Sequence, residues 1–175
     1  IGTSGHDDTY SWDYTINPRG RDRDDEDLIF SLRPGSFGGT LSWLAADGTD
    51  EEQTDGIGAG EAVRLLTQYA QENRRFFLAV GFWKPHLPFN APKKYWDIYD
   101  RSQIELPPNP EPPAGVPAVA LQDYKIDKKG ILSDDDVREL RHGHLAAISY
   151  LDAQVGRVLN ALDRLGLTDK TIVVF

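Results

Sequence analysis

The sequence predicts an α/β fold: a portion of a mostly parallel sheet flanked by helices, preceded by a long irregular segment. Two observations carry this. A helical apolar stripe is followed at once by a short, continuously apolar run, and this happens twice, at residues 57–81 and again at 133–175. Helix followed directly by a strand buried on both faces is half of a βαβ unit. The second observation is negative, for residues 1–56 show little periodicity and are punctuated by Gly2, Gly5, Gly20, Gly35, Gly38, Gly39 and Gly48.

Within that first segment, Arg19 to Asp27 is a run of mixed charge, which reads as a solvated loop. Leu28-Ile29-Phe30 and Leu41-Ser42-Trp43-Leu44 read as short strands or loop anchors. Tyr10, Trp12, Tyr14, Phe37 and Trp43 supply aromatic area to hold the segment on a neighbouring surface. His6-Asp7-Asp8 offers nitrogen and oxygen ligands in sequence, but adjacent residues of an extended chain point to opposite sides. A turn with backbone-capping carboxylates fits better, and no metal is assigned there.

Thr54-Asp55 sits ahead of the first helix, which runs to about Asn73 with Ala62, Leu65, Leu66, Tyr69 and Ala70 on one face. Arg74 and Arg75 suit its C-terminus. Phe76 to Gly81 is the strand that follows, and the loop after it ends this unit near residue 105. Residues 106–132 form a crossing segment, because Leu106 to Ala118 holds six prolines and one glycine and must be extended or turned. Ser133 with Asp136 makes a capping box for the second helix. Val137, Leu140, His144, Ile148, Leu151, Val155, Val158, Leu162 and Leu165 then mark one helical face, about 45 Å long at 1.5 Å per residue. Gly143 and Gly156 mark a bend or a close contact, and Gly166 is the C-terminal cap. Thr171 to Phe175 is a β-branched buried strand, expected parallel to Phe76–Gly81 in one sheet.

The chain has 175 residues, with 28 acids, 19 bases, four His and neither Cys nor Met. A net charge of -9 argues against a nucleic-acid partner, because backbone phosphates repel an acidic surface. Without Cys, disulfides, thiolate metal sites and a Cys nucleophile are excluded within these boundaries. No apolar run approaches the ~20 residues of a membrane helix, so no membrane partner is expected. The absence of Met even at position 1 reads as an excised or internal segment.

One stretch can carry chemistry: Gly81-Phe82-Trp83-Lys84-Pro85-His86-Leu87-Pro88-Phe89. Pro85 and Pro88 fix φ on either side of His86, and in extended backbone Lys84 and His86 share a face. A cation and an imidazole at the C-terminal end of a buried strand make an anion-binding pair. The alternative is a surface lysine and a backbone-bonded histidine in a turn shaped by its prolines. Neither reading supplies a nucleophile.

The block from Phe76 to Asp100, with Trp83-Lys84-Pro85-His86 at its centre, resembles the sulfatase family of the alkaline-phosphatase superfamily, closest to its iduronate-2-sulfatase-like branch. His6 to Trp12, Asn109 to Pro117 and Ser149 to Phe175 agree in type and order. The resemblance implies that residues 1–175 are an internal portion of a sulfatase catalytic domain with an alkaline-phosphatase-like fold. It implies a sulfuric ester hydrolase acting on a sulfated small molecule or glycan. His86 would donate to a sulfate oxygen, and Lys84 and Trp83 would line the substrate pocket, Trp83 standing where close relatives often carry His. It also implies Ca²⁺ and a formylglycine nucleophile. The motif that yields formylglycine is absent here, as are the metal-binding Asp pairs, so the metal ligands in this chain are none and the rest of the polypeptide would supply them. Asp7-Asp8 sits in surroundings that match the region after the nucleophile. The chain alone is expected to be inactive. Periplasmic, secreted or lysosomal placement is what the resemblance implies. The competing readings are a phosphoesterase or phosphonate hydrolase of the same superfamily, and a non-catalytic fragment.

Overall fold

A computed structural model describes residues 10–35, 39–109, 113–121 and 132–175. His6, Asp7, Asp8 and Phe37 lie outside the described residues. The elements, in chain order, are α1 (Arg21–Asp24), β1 (Phe30–Arg33), β2 (Thr40–Ala46), α2 (Thr54–Gln71), β3 (Phe89–Pro92), α3 (Lys93–Trp96) and α4 (Asp134–Arg164). Helices packed on a small sheet make the class α/β.

The sheet is mixed. β2 lies between its two neighbours, antiparallel to β1 through Phe30–Trp43 and parallel to β3 through Trp43–Phe89 and Ala46–Pro92. Both short apolar pieces of the first segment therefore reach or border strands. β3 is an element the sequence did not announce, because Asn and Pro are poor strand formers and its pairing is supplied by β2 alone.

α2 and α4 end alike. Each closes with a left-handed residue, Asn73 at φ 47° and Gly166 at φ 65°, and each turns back onto its own last turn. Arg74 N–H donates to Tyr69 O after α2, and Leu167 N–H donates to Leu162 O after α4. At its start α4 carries the expected capping box, with Asp136 N–H donating to Ser133 Oγ and Ser133 N–H donating to Asp136. Gly56 meets Tyr150, and Leu66 meets Leu162 further along, so contacts advance together and the two helices run parallel. A second cluster, Ala91, Tyr95, Trp96, Ala146 and Tyr150, ties β3 and α3 to α4. Gly143 is the close contact there, since a Cβ on it would stand 2.9 Å from the Trp96 ring and 3.0 Å from Phe89 Cβ. Gly156 has open space instead.

One expectation needs correction. Phe76–Gly81 and Thr171–Phe175 are extended, but among the described residues no backbone hydrogen bond joins them and neither belongs to the sheet. They flank an apolar groove of about 480 Å³, lined also by Val155, Val158 and Leu162 of α4. Burial still alternates along Phe76–Phe82, as a strand's would, so the local pattern is right while the ladder is missing. A strand is defined by its neighbour's backbone, and apolar periodicity carries no information about that neighbour. The mostly parallel sheet is thus replaced, within the described residues, by a three-stranded mixed one.

A second correction concerns Arg19–Asp27, expected as a solvated loop. It contains α1, and Asp22 is buried against the start of α2. Asp22 Oδ1 accepts both the backbone N–H and the hydroxyl of Thr54 at 2.7 Å, while Gly20 N–H donates to Thr54 Oγ1. Gly20 is required by this approach, because a Cβ there would stand 2.2 Å from Thr54 N. Of the N-terminal aromatics, Trp12 stacks on Phe77 and the Tyr14 hydroxyl donates to Glu61, while Tyr10 is exposed. The proline-rich stretch, where described, is mostly exposed and runs without strand or α-helix.

Candidate active-site loop

The loop Trp83–Pro88 leaves the extended segment 76–82 and turns sharply before β3. His86 N–H donates to Trp83 O at 2.9 Å, which closes the turn. The peptide bonds before Pro85 and Pro88 are cis. This turn separates the two side chains that an extended chain would put on one face. Lys84 goes inward, 7 % exposed, and its ammonium donates to Pro88 O at 2.9 Å. His86 goes outward and is exposed.

Trp83, Lys84 and His86 line a cavity of about 300 Å³, joined by Asp22, Arg23 and Glu26 of the α1 region. The His86 ring meets Trp83 edge to face at 6.4 Å. The Arg23 guanidinium lies over the Trp83 ring, 5.1 Å from its centroid, a cation–π distance. His86 Nδ1 stands 2.6 Å from Leu87 O. A carbonyl only accepts, so this contact places a proton on Nδ1 and leaves Nε2 for a ligand.

Beneath the loop is a buried polar layer. Asp55, 3 % exposed, accepts Trp83 N–H on Oδ1 at 2.8 Å and Lys84 N–H on Oδ2 at 2.9 Å. Burial pushes the Asp55 carboxyl above the usual carboxylate range; those two N–H groups and the Lys84 charge oppose this without cancelling it. Burial likewise pushes the Lys84 ammonium down, opposed by the Asp22 and Asp55 carboxylates. The Asn90 amide donates to Asp22 O at 3.3 Å, linking β3 to α1.

Asp22, Arg23 and Asp55 are site residues that sequence reasoning missed. Arg23 and Asp22 sat inside a charge run, and Asp55 reads as an ordinary first-turn acid of α2. Nothing in their spacing connects them to loop residues about thirty to sixty positions further on. The other described histidines serve packing: His142 meets Trp96 O at 2.9 Å, and the His144 ring stacks on Phe89. Among the described residues no three His, Asp or Glu side chains converge to hold a metal ion. These residues do not fit a Ca²⁺ site.

A family model described as Sulfatase matches residues 4–175, nearly the whole chain. The chain belongs to the sulfatase family. It is 38 % identical over 128 residues to iduronate 2-sulfatase of Homo sapiens, covering 66 % of this chain and 23 % of that protein. To a sulfatase of Formosa agariphila it is 31 % identical over 153 residues, 81 % of this chain and 29 % of the relative. To choline-sulfatase of Rhizobium meliloti it is 29 % identical over 145 residues, 74 % and 27 % respectively. The chain thus spans about a quarter of the length of these curated relatives.

Proposed function

We propose that residues 1–175 are a portion of a sulfatase catalytic domain with an alkaline-phosphatase-like fold, and that the protein hydrolyses a sulfate ester. Membership in the sulfatase family supports the reaction class. The observation that carries the site is His86: outward-facing, on a turn closed by its own N–H, with Nδ1 already engaged and Nε2 open to the cavity.

In this reading the sulfate sits against His86. With Nδ1–H committed to Leu87 O, the donor to a sulfate oxygen is Nε2–H. Charge that gathers on the sulfate oxygens in the transition state is then met by a fixed donor. Lys84 adds positive potential from the cavity floor, held at Pro88 O and not free to swing out to the ligand. Trp83 forms a wall against which the alcohol part of the ester rests. The substrate is a sulfated sugar or glycan, in line with one relative's being named for iduronate. A formylglycine nucleophile and Ca²⁺ belong, in this reading, to residues outside the chain.

The test is steady-state hydrolysis of 4-nitrocatechol sulfate by the full-length sulfatase carrying His86→Ala, beside thermal melts. Turnover is expected to fall about 10²-fold, the scale of one lost oxyanion donor, with the melting temperature held. Wild-type turnover, or a melting temperature that collapses with activity, would remove His86 from the site.

A further inference from the structure

His86 can meet a sulfate oxygen only if the loop that carries it is aimed. Trp83–Pro88 is anchored at both ends by buried charge. At its head, two consecutive backbone amides, Trp83 N–H and Lys84 N–H, each donate to a different oxygen of one carboxylate, Asp55. At its tail, the Lys84 ammonium donates to Pro88 O. Between them, His86 N–H donates to the carbonyl of Trp83, the very residue whose amide Asp55 holds. His86 is therefore two hydrogen bonds from Asp55, through Trp83 alone.

We propose that Asp55 is the positioning residue of the site: its carboxylate sets the direction of the His86 loop by receiving the N–H groups of Trp83 and Lys84. The inference rests on His86 being the sulfate donor. Asp55 itself is held by the fold, since it lies in the first turn of α2, and that turn is fixed from two other elements. Asp22 of α1 takes the Thr54 N–H on one side of Asp55, and the Tyr150 hydroxyl of α4 takes the Gly56 N–H on the other. The aim of His86 is thus referred to the helix layer and not to the loop's own flexibility.

The chemistry of the anchor is specific to a carboxylate. Asp55 has two acceptor oxygens for two amides; an asparagine offers one acceptor and would set an NH₂ against the second N–H. The titratable groups that face Asp55 are Asp22 from α1, Lys84 from the loop and the neutral Tyr150 hydroxyl from α4. Because burial works against its ionised form, Asp55 is an electrostatic burden on the fold that the loop alone makes use of. A residue of this kind separates activity from stability when it is changed.

The experiment uses the full-length sulfatase with Asp55→Asn, Asp55→Ala and His86→Ala, measured by kcat and KM on 4-nitrocatechol sulfate, by the pH profile of kcat and by thermal melts. Asp55→Asn is expected to lower kcat about tenfold, below the ~10²-fold cost of a full ångström of misplacement, with KM within about twofold. Its melting temperature should stay near wild type, Asp55→Ala should fall further in kcat, and the acid limb of the kcat profile should move with either variant. Unchanged kcat and acid limb in Asp55→Asn overturn the proposal, as does a loss of kcat that only tracks a loss of melting temperature. If Asp55→Asn does not fold, Asp55→Glu, which keeps both oxygens on a longer stem, must show the same drop in kcat at near-constant KM, and wild-type kcat there overturns it. Wild-type turnover in His86→Ala is a different failure: it removes the sulfate-site reading beneath.

Discussion

The Tyr150 hydroxyl, on α4, accepts the backbone N–H of Gly56 in the first turn of α2 at 2.8 Å, across ninety-four residues of sequence. A helix start leaves its first N–H groups without intrahelical partners, and here a side chain from another helix supplies the acceptor. Burial raises the pKa of this hydroxyl, with the nearby Asp55 charge adding to it, so it stays neutral and can accept.

Tyr150→Phe should therefore cost about 1–3 kcal/mol, the penalty of a buried N–H left without an acceptor. Denaturant unfolding of wild type and variant gives the difference. A change below about 0.5 kcal/mol would mean that water replaces the hydroxyl and that the contact is incidental.

Asp22 makes a second such cap, and its two-atom acceptance from Thr54 predicts a split between substitutions. Asp22→Ala leaves both Thr54 donors unpaired and should cost about 1–3 kcal/mol, whereas Asp22→Asn keeps Oδ1 and should cost less than about 1 kcal/mol. Equal losses in the two variants would assign the effect to charge and not to the acceptor oxygen.

The two interior glycines of α4 should respond with opposite signs. Gly143→Ala drives a methyl into the Trp96 ring and Phe89, and overpacking of this kind costs about 1–3 kcal/mol. Gly156→Ala meets nothing within 4 Å and should gain about 0.5–1 kcal/mol from helix propensity. Melting temperatures moving in the same direction would contradict this account of α4 packing.

Asp50 gives the chain an acid-labile joint. Its carboxylate receives the Tyr95 hydroxyl at 2.6 Å and the Gln154 amide at 3.1 Å, and pairs with Lys94 at 2.8 Å. Burial alone would push its carboxyl up, but hydrogen bonds from Lys94, Tyr95 and Gln154 outweigh it and hold the carboxyl below the usual range. A lowered folded pKa means stability that is present above the unfolded value and is lost as pH falls through the folded one. Melts across the acid range should show a steeper loss in wild type than in Asp50→Asn, with the variant less stable at neutral pH. Parallel curves would show that Asp50 carries none of the acid sensitivity.

Where a signal is local, the sequence was readable. The box of Ser133 and Asp136 and the stop at Gly166 each depend on residues within one helix or one turn of it, and each stands where its local chemistry says. Lys84 and His86 stood out through the prolines around them, and Trp83 only through the family resemblance of the block that holds it. What stayed illegible was held from a distance. Asp22 looks like one more acid in a charged run until Thr54 stands beside it. Asp55 looks like an ordinary first-turn acid until the loop folds onto it. The inward turn of Lys84 reverses the extended-chain expectation, because Trp83 O draws His86 N–H back and rotates the intervening residues. Phe76–Gly81 shows the limit most plainly, since alternation is local and pairing is not.

The extended segment Thr171–Phe175 has a practical consequence for anyone handling residues 1–175 on their own. Ile172 is 92 % exposed and Phe175 99 %, on backbone with no ladder partner among the described residues. Such a row of open amides and carbonyls, dressed with β-branched side chains, is a template for whichever strand arrives first. At the concentrations of overexpression, the first arrival is another copy of the same molecule. Inclusion bodies, and recovery that improves on dilution or with a charged residue at Ile172 or Val174, are what this edge dictates.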